Sequence, residues 1–203
     1  MTPPLGRRGR ALHLFFAVRV VAPLSADAFA GSIPSADGPV SVTARPIAAF
    51  HPSEPGRTRF GDLEFLGGLA LSSSNPEFQS LSALLSHDAG RELISVTDEG
   101  SWVALRLKSD EHGRPAAVET VRVAPLRDAE GRPLHSKWER DAESLALRRT
   151  PNGAELVVGF EEHHRFLAYS VSGGLQSAFD APGRPVADTP ADIRRLGTNE
   201  GLE

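Results

Sequence analysis

The sequence predicts an all-β protein built from propeller-type blades. The grounds are an internal repeat, a turn-rich composition and the lack of any sustained helical spacing. The repeat runs from Leu81 to Leu107 and again from Asp141 to Val171. Each copy has a short apolar strand, a turn, a second apolar strand ending in acidic residues, and a third strand. The turns are His87–Gly90 and Thr150–Gly153, whose Asp, Pro, Asn and Gly residues supply the backbone angles of a tight reversal. Leu93 and Ile94 align with Leu156 and Val157 at an offset of 63, which sets Asp98 against Glu161. A third copy begins at Asn199–Glu203.

Gly and Pro, 19 and 16 of the 203 residues, are spread along the chain and not gathered in a linker. The runs between turns are short and rich in Val, Leu and Ile, as strands are. No window longer than about ten residues keeps the i, i+3, i+4 apolar spacing of a helix. Short helical turns are expected only at 76–85 and 186–196. Val103–Leu107 and Arg165–Val171 read as outer strands, and Gly113 and Gly131 mark turns within a long insertion, 108–140. Repeats of about 60 residues with three or four strands each are blades, which stack because none can bury both faces alone. The expectation is therefore a partial β-propeller, about three blades of a longer one.

Residues 1–30 read as a secretory signal: Arg7, Arg8 and Arg10, an apolar run from Ala11 to Val18 that resumes at Val20–Leu24, and a small-x-small site at Ala28–Ala30. Arg19 and Pro23 interrupt the run, which is too short for a membrane span. Cleavage after Ala30 lowers basic residues from 22 to 18 and acidic ones from 26 to 25, a net charge of -7. That balance argues against nucleic acid, which needs a basic stripe. The expected location is periplasmic or secreted. There is no cysteine, so disulfides, thiolate catalysis and cysteine metal sites are excluded. Segment 31–57 reads as a leader with one strand near Val40–Ala44, ahead of a domain over 58–203.

Five pieces, in order, resemble the phytase-like family, whose members are described as showing esterase-like activity of phytase. They are Phe65–Leu71, Leu84–Gly100 with its Ser-Val-Thr-Asp-Glu-Gly, Asp141–Ala146, Gly159–Glu162 with Arg165, and Asn199–Glu203. Two positions depart from the family pattern. Glu99 stands where a basic residue is usual after Asp98, and Ser144 where Gly is usual after Glu143. The family domain continues beyond residue 203. The resemblance implies a propeller that uses Ca²⁺ to bind and cleave phosphomonoesters.

The candidate chemistry lies in carboxylates at blade ends: Asp98, Glu99, Asp141, Glu143, Glu161, Glu162 and Glu200. Equivalent positions of successive blades face a common axis, so repeated acids converge. Converging carboxylates repel unless a cation joins them, and Ca²⁺ takes six to eight oxygens. Asp98, Glu143, Glu161 and Glu200 are the expected metal ligands. Glu143 doubles as general base, and Arg165 anchors a phosphate oxygen. The substrate class is then a small-molecule phosphate or carboxylic ester. The competing expectation is a non-catalytic exported propeller that binds a ligand or protein, with the same acids capping turns or pairing with Arg. Glu99 and Glu162 are expected to face solvent. His163 and His164 should point to opposite faces of a strand, and Trp102 and Trp138 should pack between blades. Ser82 and Ser144 lack the Gly-x-Ser-x-Gly frame of a serine hydrolase.

Overall fold

The computed structural model describes residues 40–186 and the backbone of a short strand at Leu12–Leu14. Glu200, the Asn199–Glu203 segment, most of the 186–196 region and the cleavage site at Ala30 lie outside the described residues.

The chain order is as follows. Strands β1 (Leu12–Leu14), β2 (Val42–Ile47) and β5 (Gly68–Ser73) form an antiparallel sheet of order β1-β5-β2. A small hairpin, β3 (Arg59–Phe60) and β4 (Leu63–Glu64), lies between its strands in sequence. The next four strands, β6 (Leu81–His87), β7 (Glu92–Thr97), β8 (Ser101–Ser109) and β9 (Pro115–Pro125), form an up-and-down sheet. A one-turn helix, α1 (Lys137–Arg140), leads into a second such sheet: β10 (Ala142–Thr150), β11 (Gly153–Phe160), β12 (Arg165–Ser170) and β13 (Arg184–Pro185). The described residues are thus mostly strand, in small sheets that do not close on themselves, and the fold is all-β.

The two four-stranded sheets are the two copies of the repeat, and their equivalence extends to hydrogen bonds. The amide of Asp98, just past β7, donates to the carbonyl of Ser80 just before β6 at 3.1 Å. In the same way the amide of Glu161, just past β11, donates to the carbonyl of Asp141 just before β10 at 2.9 Å. Both first strands carry a bulge near their start, between Leu81 and Ala83 and between Ala142 and Ser144.

The β6–β9 sheet is packed on both faces. Leu93, Val103 and Leu105 pack with Leu69, Leu71 and Phe78. On the other face Ile94, Val96, Trp102 and Ala104 pack with Leu156, Val158, Phe160, Leu167 and Tyr169. Alternate residues of β7 and β8 therefore enter different cores, which is why those strands read as continuous apolar runs. Trp102 is fully buried, stacked on Phe179 at 5.1–5.3 Å from the Tyr169 and Phe179 ring centres, edge-on to the first and parallel to the second.

Several expectations need correction. Residues 81–85 belong to strand β6, not to a helical turn, because Leu81, Leu84 and Leu85 face β7 and neighbouring sheets. Val103–Leu107 is not an outer strand: the insertion after it contributes β9, which covers its free edge. Trp138 is 53 % exposed on α1 and does not pack between sheets.

Removing the Trp102 rings leaves a cavity where two sheets meet. Trp102→Ala should cost about 3–5 kcal/mol, whereas Leu147→Ala, at a position 40 % exposed, should change stability by about 0.5 kcal/mol or less. Urea unfolding midpoints with matched slopes would check both.

Candidate functional site

The rim at the ends of β7 and β11 is built by the repeat. Asp98 and Glu161 occupy equivalent turn positions. The bulges of β6 and β10 add one residue to each strand and re-aim it. The added residues are Ser82 and Glu143, and the Ser82 hydroxyl hydrogen-bonds the Glu143 carboxylate across the two sheets.

Asp141, Glu143 and Glu161 each place one carboxylate oxygen so that all three lie within 4.8 Å of one another. Asp141 is buried, and the other two are half-buried. Lys137 reaches into the group from α1. Its ammonium donates to Asp141 Oδ1 at 2.5 Å and to the Asp98 carbonyl at 2.7 Å, and lies 3.8 Å from Asp98 Oδ2. Asp98 Oδ1 is buried without a hydrogen-bond partner among the described residues. Asp98 and Asp141 thus share one ammonium, and Glu143 and Glu161 have no ion pair with it among the described residues. Partial burial is the main cause that holds the Glu143 carboxyl above its ordinary range. Repulsion from Asp141, Glu161 and Asp98 adds to it, and the Ser82 hydrogen bond opposes it.

Arg165 is elsewhere. Its guanidinium lies 4.0 Å from the centre of the Phe160 ring and donates to the carbonyls of Glu139 and His163. Burial is the main cause that lowers its affinity for a proton, and the nearby Glu139 carboxylate opposes it. Arg165 lines a cavity of about 450 Å³ together with Trp138, His163, His164 and Phe166. Of the sequence-predicted acids, Glu143 and Glu161 lie in one group with Asp141, Asp98 borders that group through Lys137, and Arg165 has no hydrogen bond or ion pair with any of them among the described residues. His163 and His164 lie in the turn after β11, not on a strand, and both line this cavity. Glu99 is tied to Arg140 at 2.8 Å. The tie is tight, because a side chain at Gly100 (φ +78°) would collide with Arg140 Cβ.

Lys137 is not singled out by the sequence reading, and Trp138 is read there as a packing residue and not as part of a site. Their signal was present: Ser136 and Glu139 form a capping box, in which the Glu139 carboxylate accepts the Ser136 amide at 3.3 Å.

The three clustered acids suit a hard cation. Ca²⁺ binds oxygen at 2.3–2.6 Å, so oxygens roughly 4.6–5.2 Å apart can share one ion. A model of a family described as "Phytase-like: Esterase-like activity of phytase" matches residues 76–203. The chain belongs to the phytase-like family. The match spans both four-stranded sheets and the whole acidic rim of this phytase-like chain, and membership supports a hydrolase-type function on a small-molecule ester. No curated protein and no solved structure matched the phytase-like chain in the corresponding searches.

The strain at Glu143 has a pH signature. Its folded-state proton affinity is raised, so the folded state holds its proton to higher pH than the unfolded chain does. Stability therefore falls as pH rises from about the ordinary 4.5 through the raised value. In EDTA at pH 7, Glu143→Gln should melt higher than the native chain. The gap should close as pH drops below 4.5. Thermal melts across pH 4–8 would check this, and a variant that melts lower throughout would contradict it.

Proposed function

We propose that the chain is an exported phytase-like hydrolase of phosphate or carboxylic esters that holds Ca²⁺ between Asp141, Glu143 and Glu161. The observation that carries this reading is the convergence of those three carboxylates, all from the second repeat unit, onto one point, with Asp98 of the first unit bordering them through Lys137. Asp98 supports it with a buried oxygen that has no hydrogen-bond partner among the described residues, and Glu200 is proposed as a further ligand from the next repeat. Three to five carboxylates supply a hard, oxygen-only donor set, which favours Ca²⁺ over softer metals.

Bound there, the cation would polarise a phosphoryl or carbonyl oxygen and lower the proton affinity of water. The chain's own residues do the remaining work. Glu143, whose carboxyl takes up a proton more readily than an ordinary glutamate, is proposed as the general base. Arg165 is proposed to hold an anionic oxygen of the ester. Lys137 occupies the cation's neighbourhood when no ion is bound. With its side chain 49 % exposed, it has room to swing aside. The proposed sheets are blades of a β-propeller: the meander order and the stacking of three sheets support that arrangement.

One observation favours the competing role of an exported, non-catalytic binding module. The Lys137 ion pair with Asp141 already relieves part of the repulsion, as a purely structural network would. Calorimetric titration separates the two. Ca²⁺ should bind the full chain, and Glu143→Gln should weaken it at least about tenfold, or about 1.4 kcal/mol. No heat, together with no turnover of p-nitrophenyl phosphate or p-nitrophenyl acetate, would leave the binding module.

Export is proposed from the Arg-rich start, the apolar run and the Ala28–Ala30 site. Among the described residues no helix is long and apolar enough to cross a membrane. Cleavage after Ala30 would remove β1, which pairs with β5 at Leu12–Leu71 through Leu14–Leu69, and leave that edge of β5 open. Expression in a bacterial host followed by N-terminal sequencing of the periplasmic fraction should read Gly31 first. A cytoplasmic product starting at the initiator end would refute export.

A further inference from the structure

The cavity beside the rim shares two structural pieces with it. In α1, Lys137 turns to the carboxylates while its neighbour Trp138 lines the cavity. In the turn after β11, Glu161 joins the acids while His163 and His164 line the cavity. The two surroundings therefore adjoin, on either side of the same short segments.

The cavity's chemistry differs from the rim's. Trp138 and His163 lie stacked, ring centres 4.1 Å apart and 12° from parallel, and Trp138 keeps 53 % of its surface open. Beside them the Arg165 guanidinium donates to two carbonyls and, among the described residues, makes no ion pair, with the Glu139 carboxylate acting on it only as a nearby charge. The acids that also line the cavity are engaged elsewhere. Asp128 and Glu130 pair with Arg132 at 2.8 and 2.9 Å, and Glu139 caps α1. Leu134, Phe166 and Pro185 complete apolar walls. An exposed aromatic plane, apolar walls and a guanidinium without an ion pair among the described residues together select a planar group bearing negative charge. A volume of about 450 Å³ is within the usual range for small-ligand sites.

We propose that this cavity is a subsite for the aromatic, anionic part of the substrate, so that the preferred esters are aryl phosphates or anionic aryl esters. The proposal rests on the hydrolase reading for its substrate, but the subsite itself does not need the cation.

Phenylphosphonate, which resists hydrolysis, tests it in EDTA on the full chain. Trp102 is fully buried, so a saturable change in tryptophan fluorescence reports Trp138. Phenylphosphonate should bind at least about tenfold tighter than methylphosphonate by calorimetry. Trp138→Leu, at an exposed site, should erase that preference while the melting curve stays unchanged. Arg165→Gln should weaken both ligands, and Arg165→Lys should restore part of the loss. Equal affinity for the two phosphonates, a preference that survives Trp138→Leu, or binding that appears only with added Ca²⁺ would each overturn the subsite. Loss of Ca²⁺ binding with phenylphosphonate binding intact would sink the metal reading and leave the subsite standing.

Discussion

Trp102 lies parallel to Phe179 and edge-on to Tyr169, and this aromatic contact locks β8 of one sheet to β12 of the next. The geometry of the rim follows from it. With the sheets clamped there, the turns beyond β7 and β11 place Asp98 beside Lys137 and Glu161 beside Asp141 and Glu143. The β6–β9 sheet fills a close-packed core on each face, so moving it against its neighbours would open voids in both. Close approach of like charges therefore persists, because the cost of relieving it by moving the sheets exceeds the cost of the repulsion.

Much of the strand order was legible because turn chemistry and apolar run length are local properties. The reversals at His87–Gly90 and Thr150–Gly153 stand where their residues place them, and the offset that aligned Asp98 with Glu161 is matched by the paired amide bonds to Ser80 and Asp141. What stayed hidden depends on pairing across space. Leu81, Leu84 and Leu85 have helix spacing, yet they serve a strand that meets apolar neighbours on both sides. The bulges that aim Ser82 and Glu143 exist only in the register between strands. Lys137 could not be placed at the acids from its position in a long insertion, although the Ser136–Glu139 pair marked the start of its helix. Trp138 and Trp102 share a residue type and have opposite fates, because only Trp102 alternates into a core.

The carboxylate group and the aromatic cavity divide two tasks that a small-molecule site must combine. One concentrates negative charge and can be satisfied by a cation. The other leaves a positive guanidinium against rings and apolar walls. They are held by neighbouring residues of the same one-turn helix and the same four-residue turn, so a change in either segment moves both environments together. The Glu99–Arg140 bond and the close packing of Arg140 on Gly100 pin the far end of that helix.

The matched bulges carry a wider implication. Each repeat holds one side chain at its mouth through an extra residue that the core never touches: a hydroxyl in one copy, a carboxyl in the other. Duplicated units of this kind separate what must stay constant for folding from what is free to diversify. New reactivity can then arise by single exchanges at one structural address, repeated around the assembly, without rebuilding the scaffold that presents it.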